Sequence, residues 1–132
     1  MTGRYAAHTR VPVEKTKAEI EKLVKKYGAK GFASSWQGST ARIEFLCADR
    51  HIRLSVVVPD SEQAARQKWR ALLLVIKAKL ESVDAKIATF DQAFAADIVM
   101  PDGRTVWESV REPIKLAYGT GKPVALLGGA VT

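Results

Sequence analysis

The stretch that most constrains the fold is Ser61–Lys86, with SEQAARQKWRALLLVIKAKLESV at its heart. Trp69, Leu73, Ile76 and Leu80 recur at three- and four-residue spacing, which predicts one apolar helix face. Ala71, Leu74, Val75 and Ala78 define a second apolar face on the far side. Arg66, Arg70 and Lys77 occupy one seam between the faces, and Lys68 and Lys79 the other. A helix that is apolar almost all round is buried on more than one side. The pattern therefore predicts a helix sandwiched inside its domain, or one whose far face meets another chain. In the second case Leu74, Val75 and Ala78 form the seam of a homodimer.

The remaining segments supply what such a helix packs against. VEKTKAEIEKLVKKYG places Ile20, Leu23, Val24 and Tyr27 on one face, an amphipathic helix ended by Gly28. Lys22, Lys25, Lys26 and nearby Lys30 read as solvated. Three alternating segments follow. In Gly31–Gln37, Phe32, Ser34 and Trp36 alternate with Ala33, Ser35 and Gln37, and Trp36 is expected in the core. Ala41–Ala48 turns Ala41, Ile43, Phe45 and Cys47 to one side, and His51–Val58 does the same with Ile52, Leu54, Val56 and Val58.

A tight turn at Asp49-Arg50 would pair Cys47 with Ile52, Phe45 with Leu54 and Ile43 with Val56. The result is an antiparallel meander with one wet face of Gln37, Arg42, Glu44, His51, Arg53 and Ser55. Pro59-Asp60-Ser61 breaks the sheet and caps the long helix through Asp60 or Ser61. Beyond Lys86 the pattern suggests a short helix in DQAFAADI, a small hairpin over Val99–Val106, and a last helix over Trp107–Tyr118 with Pro113 near its start or at a kink. The expected fold is α+β: an N-terminal helix, a three-stranded antiparallel meander, a long central helix, and a C-terminal helical extension. Met1–Val11 reads as a flexible arm, residues 12–88 as a basic core, and residues 89–132 as an extension packing on that core.

Charge is unevenly spread over the 132 residues. Net charge is +7, with residues 1–88 at +8 and residues 89–132 at −1. Polyanions are attracted to such a basic part by long-range electrostatics. The arginines on the wet face suit phosphate and can stack on bases. Lys25, Lys26, Lys30, Arg42, Arg50 and Arg53 are thus the expected nucleic-acid contacts.

Catalytic and cofactor signatures are absent from the sequence. GTGKP at 119–123 lacks the spacing and the Lys-Ser/Thr of a phosphate loop. His8, His51 and the lone Cys47 have no metal-site spacing, and alternation puts Cys47 inward and His51 outward. Asp97, Asp102, Glu108 and Glu112 form a loose acidic set of the kind a metal-dependent nuclease uses, although turn chemistry and helix N-terminal charge account for Asp102 and Glu108 equally well. The expectation is a non-enzymatic protein with no cofactor and no metal. A single cysteine fits a reducing compartment. The N-terminus has no secretory core, and the longest apolar run, Ala71–Ile76, is far below the roughly 20 residues that span a bilayer. A cytosolic protein, nucleoid-associated if it binds DNA, is expected.

The order helix, three-strand meander, helix over about residues 13–83 resembles the topology of double-stranded-RNA-binding domains. The start of the second helix, PDSEQAARQKWR, is acidic where that family is lysine-rich, so the likeness is one of topology. The segments VPVEKTKAEIEKLVKKYGA, RHIRLSVVVP, WRALLLVIKAKLESV and DIVMPDGRTVWE together resemble a family of small uncharacterised proteins of tailed bacteriophages and prophages, over about residues 11–127. That resemblance implies an intracellular phage setting. Small basic proteins there either handle viral nucleic acid in replication or recombination, or bind and block a host defence protein complex, as an anti-CRISPR does.

Overall fold

The computed structural model describes residues 11–127. The arm expected at Met1–Val11 falls almost wholly outside the described residues, as do His8 and residues 128–132. The elements are α1 (Val13–Lys26), β1 (Gly31–Gln37), β2 (Thr40–Cys47), β3 (Arg50–Val57), α2 (Glu62–Asp84), α3 (Phe90–Phe94), and α4 (Val106–Thr120), with a 3₁₀ turn at Ala95–Asp97 after α3. This is the expected α+β layout, with an antiparallel sheet in the order β1-β2-β3. Among the described residues no helix is long and apolar enough to cross a membrane.

Local chemistry sets several of the helix ends. Gly28, at φ +100°, turns the chain out of α1 in a conformation that side chains disfavour. The Ser61 hydroxyl accepts from the Ala64 N–H at 3.0 Å and caps α2. Thr89 and Thr105 each close a capping box, with Gln92 and Glu108 respectively. Pro113 lies in the middle of α4, not near its start, and leaves the Ser109 carbonyl without its usual intrahelical donor.

The core forms between one face of the sheet and two helices. Ala41, Ile43, Phe45 and Cys47 of β2 and Ile52 and Leu54 of β3 are buried. They meet Ile20 and Val24 of α1 and Trp69, Leu72, Leu73, Ile76 and Leu80 of α2. Phe94 of α3 is fully buried and packs edge-on to Phe45, their ring centroids 5.9 Å apart. Arg70 reaches across to Glu19 at 2.7 Å and ties α2 to α1. Lys79 donates to the Ala93 carbonyl at 2.9 Å and ties α2 to α3.

Three expectations are corrected. The first is register. Cys47 pairs with Arg50, Phe45 with Ile52, Ile43 with Leu54 and Ala41 with Val56. The turn is Ala48-Asp49, both at positive φ (51° and 60°), which matches the hairpin turn that follows strand twist. The pairing differs by two residues from that expected. A shift of two preserves the alternation, so the same side chains still face the core.

The second is Trp36. Its partner Ala41 is buried on the helix side, so Trp36 is on the expected face. It is nevertheless 75% exposed, because the helix layer does not extend over the far end of edge strand β1.

The third is the far side of α2. Leu74 and Val75 are 40% and 47% exposed and Ala78 is exposed, so α2 is not sandwiched among the described residues. The C-terminal segment goes elsewhere. After α3 it runs along β3, where Ile98 bridges to Ile52 and the Val99 N–H donates to the His51 carbonyl at 2.8 Å. The expected small hairpin is present in a minimal form: Val99 bridges to Thr105, the Met100 N–H donates to the Arg104 carbonyl at 2.8 Å, and the Val106 N–H donates to the Ile98 carbonyl at 2.9 Å.

Candidate nucleic-acid interface

The six cationic residues expected to bind phosphate fall into two groups. Arg42 and Arg53 project from the polar face of β2 and β3, opposite the core. That face is not fully wet. The Arg53 side chain is only 15% exposed, donating from Nη1 to the Gly103 carbonyl at 2.9 Å, with Glu44 at 3.4 Å and Glu108 at 4.0 Å. Glu44 and Arg53 are direct cross-strand neighbours. His51 Nε2 lies 2.6 Å from Glu44 Oε1, so one carboxylate serves two basic groups. Burial pushes the Glu44 carboxyl up, but the His51 hydrogen bond and the charges of Arg53 and His51 outweigh it and hold it below the ordinary glutamate range.

Glu108 belongs to the same network. The Thr105 backbone N–H donates to its carboxylate at 2.7 Å. That bond, with the Thr105 hydroxyl and the charges of Arg53 and Arg42, draws its pKa down against a smaller effect of burial. Arg53 is therefore largely neutralised by groups the fold brings over it, whereas Arg42, half-buried on the same face, makes no ion pair among the described residues and acts on Glu108 only through its charge.

Lys25, Lys26 and Lys30 are placed differently. They sit at the C-terminal end of α1 and the entry to β1, all exposed. Lys22 stands one turn earlier on α1 and is also exposed. Among the described residues none of these four has a carboxylate within ion-pair distance. Lys30 and Arg50 both line an open hollow of about 610 Å³ beside the β2–β3 turn, together with Leu46, Asp49 and His51. Arg50 is engaged: its Nε and Nη2 each donate to the Asp91 carboxylate at 3.0 Å. The six expected contacts thus divide into a free lysine end and an arginine set in which Arg50 and Arg53 are engaged.

The acidic set does not assemble. Among the described residues no three histidine, cysteine or carboxylate side chains are grouped to hold a metal ion. Asp102 closes a turn onto the Arg104 N–H at 3.0 Å, and its pKa is lowered first by that bond. Burial pushes Asp97 up, with Lys79 opposing. Cys47 is buried, its Sγ donating to the Tyr27 carbonyl at 3.6 Å, while His51 lies on the other face, so the two form no dyad.

Lys17 was not singled out from the sequence, and Trp36 was weighed there but expected in the core. The signal was present in Lys17, Glu21 and Lys25, spaced by four along α1 beside a strand, GFASSWQ, that carries no charge. Comparison with protein-family models, with curated proteins and with solved structures finds no match for this chain.

Proposed function

We propose that this is a non-enzymatic nucleic-acid-binding accessory protein, and that it meets phosphates with the lysine end of α1. The observation that carries this reading is the group Lys22, Lys25, Lys26 and Lys30, exposed together and without carboxylate partners among the described residues. Unpaired cations release phosphate counterions on binding, whereas paired ones must first give up their partners. The resemblance to small phage-encoded proteins supports a role in phage replication or recombination. The exposed row Leu74, Val75 and Ala78 supports a homodimer joined along α2.

The test is fluorescence anisotropy with labelled single-stranded DNA, double-stranded DNA and double-stranded RNA at several salt concentrations, without divalent metal. Binding should weaken with salt. Replacing Lys25, Lys26 and Lys30 by alanine should flatten the slope by about 0.7–0.9 per lost contact. Arg53→Ala, which removes an already paired cation, should leave the slope unchanged. Weak binding to all three nucleic acids would overturn the reading in favour of a protein that blocks a host defence complex, and metal-stimulated cleavage would overturn it in favour of a nuclease.

A further inference from the structure

We infer that the groove between α1 and the open edge of β1 takes single-stranded nucleic acid, with one base stacked on Trp36. The inference rests on the nucleic-acid reading above and narrows it to a strand form and a contact.

The two sheet edges are treated differently. The edge of β3 is met by Ile98 and Val99. Among the described residues the edge of β1 is met by no strand, and GFASSWQ has none of the lysines or prolines with which exposed edges are usually protected. Beside it stands α1. Lys17, Glu21 and Lys25 are spaced by four and share one side of the helix. Phe32, Ser34 and Trp36 share the helix-facing side of β1.

The two rows run in step. Lys17 to Lys25 spans about 12 Å of helix rise, and Phe32 to Trp36 about 13 Å of strand. At one end Lys25, Lys30 and Phe32 line a hollow of about 220 Å³. At the other, Lys17, Trp36, Thr40 and Trp69 line a cleft of about 280 Å³. Trp69 forms its buried floor, and Lys17 Nζ lies 5.0 Å from the Trp69 ring centre. Trp36 stands at the rim, with most of its surface open to solvent.

An exposed indole beside ammonium groups offers the two things a single strand needs: a flat apolar surface for a base and positive charge for its backbone. Three lysines border the groove, against Glu21 in one hollow and Asp60 in the other; Lys17 is also paired with the exposed Glu14 at 3.2 Å, which a phosphate must displace, while Lys25 and Lys30 have no carboxylate partner among the described residues. A duplex keeps its base faces within its own stack and gives Trp36 nothing to cover. The alternative occupant is an added strand, including β1 of a second copy. Joining two such edges would bring the Lys17 and Lys25 rows of two α1 helices alongside each other, which like charge opposes.

The experiment compares a fluorescein-labelled deoxythymidine oligomer with a duplex of equal length, using the full chain and its Trp36→Ala, Trp36→Phe and Trp107→Ala variants. Trp107 is a half-exposed control on α4. Trp36→Ala should weaken single-strand binding by about 5- to 150-fold, leaving duplex affinity and salt slope unchanged. Trp36→Phe should recover most of the loss, and Trp107→Ala should change nothing. Retained single-strand affinity in Trp36→Ala would overturn the groove while leaving the nucleic-acid function intact. No binding to either form would overturn both. A concentration-dependent dimer in sedimentation that Trp36→Ala dissolves would overturn the groove in favour of a second copy.

Discussion

Arg50 and Asp91 lie 41 positions apart and meet in a two-pronged ion pair, Nε to Oδ1 and Nη2 to Oδ2, each at 3.0 Å. The pair joins the β2–β3 turn to the first turn of α3. It also withholds a cation from the lysine end. Asp91→Asn should release Arg50, raising affinity for nucleic acid and steepening the salt slope by about 0.7–0.9, one phosphate contact. Anisotropy at several salt concentrations checks this; an unchanged slope would place Arg50 outside the interface.

Thr16 is fully buried in α1, and its hydroxyl meets no hydrogen-bond partner among the described residues. A buried hydroxyl without a partner costs about 1–3 kcal/mol. Thr16→Val keeps the branched shape and removes the polar atom. It should raise unfolding stability by about 1 kcal/mol, read as a higher urea midpoint at constant slope. A lower midpoint would mean that the hydroxyl is satisfied in solution.

Phe94 stacks with Phe90 at 4.7 Å between ring centroids and packs edge-on to Phe45 in the core. It anchors α3 against α2 and the sheet. Phe94→Ala should cost about 3–5 kcal/mol in urea unfolding. A loss under about 1 kcal/mol, the scale of a surface change, would show that residues beyond 88 contribute little to the core.

Leu74 and Val75 are the partly exposed apolar residues at the centre of α2. If they form a dimer seam, Leu74→Glu with Val75→Glu should convert the protein to a monomer in analytical ultracentrifugation. The circular dichroism spectrum should not change, because neither side chain belongs to the buried face. A parent protein that is already monomeric at high concentration would remove the seam.

Acid stability should follow Glu44, Asp102 and Glu108. All three are held below their ordinary pKa in the folded chain. A depressed carboxylate contributes stability that is present above its unfolded pKa and lost as pH falls through the folded value. Asp97, pushed up by burial, opposes the trend: the folded chain holds its proton more readily, so protonating it on the acid side recovers stability. With three groups against one, stability should decline below the ordinary carboxylate range. Glu44→Gln should make that decline shallower in urea midpoints measured across the acid range. An unaltered profile would show that Glu44 gains nothing net from His51 and Arg53.

Much of the fold was legible from periodicity. The spacing of Ile20 and Val24, the alternation of Ile43, Phe45, Ile52 and Leu54, and the recurrence of Trp69, Leu73, Ile76 and Leu80 each reflect a side chain's preference for one face of its own element. Gly28 and Ser61 marked helix ends because their backbone and capping chemistry are local. The hairpin register was not legible, because a slip of two leaves every side chain on the same face. The choice between Asp49-Arg50 and Ala48-Asp49 was decided by turn geometry that hydrophobic pattern does not encode.

The candidate site depended still more on tertiary structure. Lys25, Lys26 and Lys30 could be recognised as exposed cations from their helix end and loop. That Arg50 and Arg53 are occupied depends on Asp91, Gly103 and Glu108, which reach them only when the C-terminal segment folds back along β3. Alternation likewise determined the side to which Trp36 points, but not whether anything covers it. Direction along a strand is set by the residue's own backbone, while burial is set by where distant helices come to rest. The sequence alone determined the elements and their apolar faces; only packing decided which charges stay free and which aromatic ring remains open.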